Sequence, residues 1–344
     1  MTEMFYEVGL LDGSSFKIFK GVYNDFRAKA INEYKFELEP LEYEEFISAV
    51  EKGYLKCIVL KENLIPTAFL IYTTDISESI ELNMIHCLGT EDESTKYKLL
   101  IEKFLALTEV ERQNKVVSYP MLGRQSAFTA DVSKFGFKFV GLVVLRFLMG
   151  NPSSERILEN MKLEEKPEDY KIVGYSSIYK NDAIRIIHES FKDTQDALYD
   201  TRFKSIEGTT DIINKIVENI YGDFLPEATS VLLHKDQPCG LAFANVTGGK
   251  IANIPLVAIE KNHRGHGFSE HLLNRTVKTF VDWTKLGERD FSEINVTTET
   301  NNYKALKMYR KVGFKEDYSY PQAYLLQKHK NKKIWYTKKC MKES

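Results

Sequence analysis

The sequence is poor in cysteine, which occurs four times in 344 residues, at Cys57, Cys87, Cys239 and Cys340. No two stand in a CxxC spacing. That excludes a zinc knuckle or dithiol redox motif and reads as reduced thiols in a cytosol. Neither sign of charge dominates: 47 Lys and Arg stand against 49 Asp and Glu, a formal net charge of −2. Bulk charge therefore gives no hold on nucleic acid or on an anionic membrane. Long apolar runs are missing as well. The most apolar stretch, Phe139 to Met149, is broken by Arg146 and is far shorter than the ~20 residues of a membrane helix. Met1 to Phe5 has an early acid and no basic region before an apolar one, so no signal peptide is expected. With 19 Gly and 9 Pro the chain is neither collagen-like nor low in complexity. A cytoplasmic protein is expected, with two domains as the prior from length.

What is present is repetition. Asn151 to Asp169 is polar, charged and carries Pro152 and Pro167, and reads as a linker. It separates residues 1–150 from residues 170–344. Ile58 to Phe69 reads as strand, turn, strand, and so does Ser230 to Leu241, 172 positions later. Each half then shows strand, helix, strand and a helix ending in Gly-Phe, at Gly136-Phe137 and Gly313-Phe314, 177 positions apart. Duplication with small loop changes leaves such an offset, as does a chance recurrence of a common β-β-α-β-α order. In the second half the pattern predicts strands over Tyr170–Tyr175, Ser230–Leu233, Gly240–Val246, Ile251–Ile259 and Phe291–Thr297. It predicts helices over Asp182–Phe191, Thr209–Tyr221, Phe268–Thr284 and Tyr303–Val312. A closing hairpin is expected from Gln322–Gln327 and Lys333–Lys339.

Two stretches carry chemistry. In the first, a strand ends at Ile259 and a helix opens at Phe268, across Lys261-Asn262-His263-Arg264-Gly265-His266-Gly267. Free N–H groups at a helix start attract anions, and small residues let a phosphate approach the backbone. A pyrophosphate cradle and a flexible helix cap are the two readings. Neither the GxGxxG nor the P-loop fingerprint applies. His263, His266 and His271 lie close in sequence, but no carboxylate or thiol completes a metal-ligand spacing. The second stretch is Asn302 to Phe314. Asn302 suits an N-cap and Gly313 a left-handed C-terminal position. Asn302, Ala305 and Tyr309 fall on one side of the helix. Tyr309 is then either a proton donor in a cleft or a core aromatic.

Together these stretches resemble the GNAT superfamily of N-acetyltransferases. The family's CoA-binding motif R/Q-x-x-G-x-G/A is matched by Arg264 to Ser269, with Ser in the last place. Its later signature N-x-x-A-x-x-x-Y-x-x-x-G-F is matched in full by Asn302, Ala305, Tyr309, Gly313 and Phe314. The resemblance implies an α/β fold (α+β, mixed sheet) of two tandem GNAT-like domains, with acetyl-CoA as co-substrate and no metal. It implies binding of acetyl-CoA by Val257, Ile259, Arg264, Gly265, His266, Gly267, Phe268, Ser269 and Asn302. An N–H near Val257 would hold the oxyanion, and Tyr309 would protonate the departing thiolate. The acceptor implied is a primary amine of a small molecule or aminoacyl compound. Transfer of another acyl group, or a CoA-sensing module without turnover, are the alternatives. The base stays open between Glu299 and a water chain, and the oligomeric state stays open.

The first half departs from the pattern. Its equivalent loop carries Glu91, Asp92 and Glu93 and no Arg, and carboxylates at a helix start repel a pyrophosphate. Counting back from Gly136, Val132 stands in place of Tyr309 and Gln125 in place of Asn302. Residues 1–150 are expected to be a degenerate domain, a brace or a wall of the acceptor cleft. The lysines from Lys328 to Lys342 read as a solvated hairpin end, so no nucleic acid or membrane partner is expected.

Overall fold

A computed structural model describes residues 5–327 apart from positions 75 and 77. The first half contributes β1 (Tyr6–Leu10), α1 (Phe16–Ala30), α2 (Tyr43–Glu51), β2 (Lys56–Glu62), β3 (Ile65–Thr73), β4 (Ser79–Cys87), α3 (Glu93–Leu107), β5 (Val116–Pro120), α4 (Thr129–Ser133) and β6 (Lys138–Leu148). A short α5 (Pro152–Glu159) opens the linker, with Asn151 as its N-cap. The second half contributes β7 (Tyr170–Gly174), α6 (Lys180–Phe191), α7 (Asp196–Tyr199), α8 (Ile206–Val217), β8 (Asp223–Phe224), β9 (Ser230–His234), β10 (Gln237–Ala242) and β11 (Asn245–Gly248). It continues through β12 (Ile251–Asn253), β13 (Val257–Ile259), α9 (Phe268–Leu286), β14 (Glu293–Glu299), α10 (Tyr303–Val312) and β15 (Lys315–Leu325).

The repeat is visible in the backbone. The β2–β3 hairpin turns on Asn63 and Leu64, both left-handed, and the β9–β10 hairpin turns on Lys235 and Asp236, also left-handed. Two consecutive positive φ values match the twist of paired strands. The two turns are 172 positions apart, the same offset as their flanking strands. Gly136 and Gly313, with φ of 85° and 107°, follow α4 and α10 at the other offset.

One feature is not predicted by any sequence pattern. Eleven strands form a single sheet in the order β1-β2-β3-β4-β5-β15-β6-β14-β12-β11-β8. The last strand of each half is lent to the other. β15 pairs with β5 from Gln322↔Pro120 to Leu325↔Val117, inside the first half. β6 pairs with β14 from Glu293↔Leu148 to Glu299↔Leu142, inside the second. Between them β6 and β15 run antiparallel from Lys315↔Arg146 to Tyr324↔Lys138. Val143, Leu145 and Phe147 of β6 belong to the apolar core of the second half. Ala323 of β15 belongs to that of the first. Arg146, which interrupts the apolar run, bonds Glu293 of β14 at 2.9 Å and Asp317 of β15 at 2.9 Å.

The expected closing strand therefore needs correction: it begins at Lys315 rather than Gln322, and its described partners come from the first half. Lys333–Lys339 and the C-terminal lysines lie outside the described residues. Among the described residues no helix is long and apolar enough to cross a membrane. Cys57, Cys87 and Cys239 are buried free thiols.

Candidate active site

The strand expected over Ile251–Ile259 is in fact two. β12 runs parallel to β14 through Asn253↔Asn295, and Ile254 N donates to Asn295 O at 3.0 Å. Pro255 then offers no N–H to continue that ladder. After it, β13 leaves β14 and pairs with β10, from Ala242↔Val257 to Gly240↔Ile259. β13 is thus the end of a separate four-stranded sheet, β13-β10-β9-β7. The edge of Val257 to Ile259 away from β10 is left without a strand partner, and its backbone donors and acceptors, apart from the Ile259 carbonyl, are open to an extended ligand.

A groove of 620 Å³ opens along this split. Val257, Ile259, Arg264, Gly265, Gly267, Phe268, Ser269 and Asn302 all line it. Gly265 and Gly267 have φ of 87° and 71°, a region that favours glycine. Gly267 is the cap of α9, and no side chain caps that end. The first N–H groups of the helix therefore face the groove mouth. Arg264 is tied down: its Nε donates to Ile259 O at 2.7 Å and its Nη2 to Ser190 Oγ at 3.1 Å. It pins the strand end to α6 while its guanidinium stays at the groove.

His266 does not line the groove; its ring lies 5.8 Å from that of Phe268. The other loop histidines separate too. His263 Nδ1 shares a hydrogen bond with Tyr170 Oη at 2.8 Å, and His271 Nε2 meets Glu164 O at 2.8 Å. Burial lowers the His271 pKa. No cluster fit for a metal exists among the described residues.

On α10, Asn302 Oδ1 accepts from Ala305 N at 3.2 Å, the expected cap. Asn302, Ala305 and Met308 line the groove, with Lys304, Lys307 and Lys311 on the same helix. Tyr309 does not line it. Its ring is 6% exposed, belongs to the core and sits 5.7 Å from the Phe314 ring. Its hydroxyl has no hydrogen bond among the described residues. Burial, then the charge of Asp196, pushes that phenol well above its ordinary pKa. Asp196 is itself a groove residue, so the Tyr309 ring is core while its hydroxyl senses the groove wall.

Several groove residues escape sequence reasoning. Asp196, on the one-turn α7, accepts from Tyr199 Oη at 2.7 Å and from Thr194 Oγ1 at 3.1 Å. Beside it stands Glu299, which the sequence does offer as a candidate base: it lines the groove at the end of β14, and its Oε1 is buried with no hydrogen-bond partner among the described residues. Burial, then Asp196, raises the Glu299 pKa. Glu164 of the linker stands beside the α9 start: a Cβ on Gly267 would lie 3.5 Å from Glu164 Oε2. A carboxylate at a helix start competes with any other anion there. Glu164→Gln is expected to tighten CoA binding roughly threefold, since such a contact is worth ~0.3–1 kcal/mol; calorimetric titration of both proteins with CoA checks this.

The corresponding place in the first half is filled by its own side chains. Gln125 is fully buried, and its Oε1 accepts from Ile85 N at 2.9 Å and from Tyr119 Oη at 2.8 Å. Ile85 stands 172 positions before Val257. At the start of α3, Arg124 pairs with Glu93 and, at 3.0 Å, with Glu33. The carboxylate expected to satisfy that helix start is thus itself neutralised by an arginine from another loop.

The model of the acetyltransferase (GNAT) family matches residues 191–314. Residues 191–314, within the second half, are therefore similar to a GNAT acetyltransferase domain. The match spans the glycine loop before α9, the split strand and the Asn302–Phe314 helix. A search of curated proteins by sequence finds no match. Among solved structures, the chain is similar to a GCN5-related N-acetyltransferase from Sphaerobacter thermophilus, with a TM-score of 0.62 at 12% identity, over 93% of this chain and 95% of that one. It is also similar to a tandem GNAT protein from the clavulanic acid biosynthesis pathway, with a TM-score of 0.57 at 10% identity, over 93% and 98% of the two chains. At such identities the likeness is one of fold. It extends across both halves, so the chain has the fold that those structures share.

Proposed function

We propose that this GNAT protein is an acetyl-CoA-dependent N-acetyltransferase whose acceptor is a primary amine, with one active site per chain, in the second half. The split at Pro255 carries the reading. It leaves the Val257–Ile259 edge unpaired beside a glycine-bearing helix start, as a peptide-like arm ending in a pyrophosphate needs. Bound acetyl-CoA supplies the activated acyl carbon as a thioester. Val257 N–H would hold the oxyanion as the amine attacks. Glu299, an unpartnered carboxyl with a raised pKa, is suited to take the proton from the incoming ammonium. Tyr309 keeps its proton at neutral pH and donates it as the thiolate leaves. In balance, one ammonium and one thioester become one amide, one thiol and one proton.

The plugging of the first half by Gln125 supports a single site and leaves residues 1–150 as brace and wall. Two measurements test the proposal. Calorimetric titration should give one CoA site per chain, and a panel of primary amines should release free thiol from acetyl-CoA above the hydrolysis rate. Two sites per chain, or thiol release that no amine accelerates, would contradict it.

A further inference from the structure

A second cavity, of 530 Å³, lies in the seam between the halves. One wall is a face of β14, β6 and β15 carrying the register neighbours Thr297, Val144 and Tyr318. The opposite wall is the first-half segment Lys35 to Leu41. One row further along the same sheet face come Glu299, Leu142 and Tyr320. Tyr320 lines the seam cavity and Glu299 lines the acyl groove. Alternate residues of a strand share a face and lie ~7 Å apart. The two cavities therefore meet the same row of the sheet, the seam cavity at Tyr320 and the groove at Glu299, with Leu142 between them.

One row the other way, Asn295 Nδ2 donates to Glu37 of the first-half segment. Burial, then the Glu37 charge, pushes up the Tyr318 hydroxyl, so that carboxylate stands near the tyrosine rings of the cavity. Arg146 is engaged by Glu293 and Asp317, Glu39 lies 3.9 Å from Arg27, and Lys35 stands on the same segment as Glu37. The seam thus has a carboxylate at Glu37 and a second carboxylate pair, Glu299 and Asp196, four strand residues away. Four residues span ~13 Å along a strand. Two tyrosine rings lie between, and such faces attract cations.

We propose that the seam cavity seats the acceptor, and that the acceptor is a linear amine with two cationic centres. One ammonium meets Glu299 and Asp196 and is acylated; the other rests beside Glu37 over Tyr318 and Tyr320. This rests on the acyltransferase reading of the groove. An α-amino acid is disfavoured, because its carboxylate would be brought against Asp196. The first half then takes part in choosing the acceptor without binding CoA.

The test compares kcat/KM, read as thiol release from acetyl-CoA by the full chain, for 1,8-diaminooctane, octylamine and 1,3-diaminopropane. The long diamine should exceed octylamine roughly tenfold, the sum of one exposed ion pair and one cation–π contact. 1,3-Diaminopropane is too short to span the carboxylates and should fall well below the long diamine. In Glu37→Gln the preference of 1,8-diaminooctane over octylamine should shrink to about twofold, with CoA affinity by calorimetry confirming the fold. Equal rates for octylamine and the long diamine, or an undiminished preference in Glu37→Gln, would overturn the proposal. CoA binding without turnover of any of these amines would overturn it alone. Absence of both CoA binding and thiol release would overturn the acyltransferase reading with it.

Discussion

Gly267→Asp is expected to lower CoA affinity by about 100-fold or more, roughly 3 kcal/mol. Three effects act together. The residue has φ of 71°, where a side chain costs ~1–2 kcal/mol of local strain. The new carboxylate would sit on the α9 N-terminus and occupy the place of the pyrophosphate. It would also stand near Glu164, whose Oε2 is 3.5 Å from the position of the new Cβ, and so bring a second negative charge to the cradle. The strain acts on folding, and the charges act on binding. Gly267→Ala separates them: it carries the same strain without the charge and should lose far less affinity. Titration with CoA, beside a thermal melt of each variant, reads both. Unchanged CoA affinity in a folded Gly267→Asp protein would remove the cradle from the site.

Tyr309→Phe is expected to reduce turnover by roughly 100-fold or more, the usual worth of a positioned general acid. The hydroxyl makes no hydrogen bond among the described residues, so its loss leaves no buried partner unsatisfied. Packing against Phe314 is kept, since only the oxygen is removed. Melting temperature and CoA affinity should therefore barely move while kcat falls. A variant with wild-type turnover would leave Tyr309 as a core aromatic only. A drop in stability of similar size to the drop in rate would say that the hydroxyl serves the fold.

Local features of this chain were legible and long-range ones were not. The α10 boundaries, Tyr303 and Val312, agree with the sequence pattern because Asn302 and Gly313 fix both ends by capping. The left-handed loop before α9 was legible because two glycines in a short loop state a backbone requirement. The break in the Ile251–Ile259 strand was missed although Pro255 is its cause: apolar runs of this length carry no sign of where a partner is exchanged. Asp196 lies in the polar run Lys192 to Asp196, which reads as an ordinary loop. Only the turn of α7 brings that carboxylate beside Glu299. Glu164 was hidden likewise, as one charge among several in a linker. The exchange of β6 and β15 left no trace, because an apolar strand fits either half equally well.

That exchange has a consequence for how the chain comes off the ribosome. The first half emerges with β5 and β6 but without the strand that separates them. Gln322 of β15 reaches Ser118 of β5 across 204 residues. Until that strand is synthesised, the first sheet has a gap and β6 lacks its neighbour on that side. Domains are usually completed in order of synthesis. Here both halves close together, at the very end, in a single late step dominated by distant pairing, which is intrinsically slow. A nascent chain halted near residue 150 would present open strand edges to chaperones rather than a finished domain.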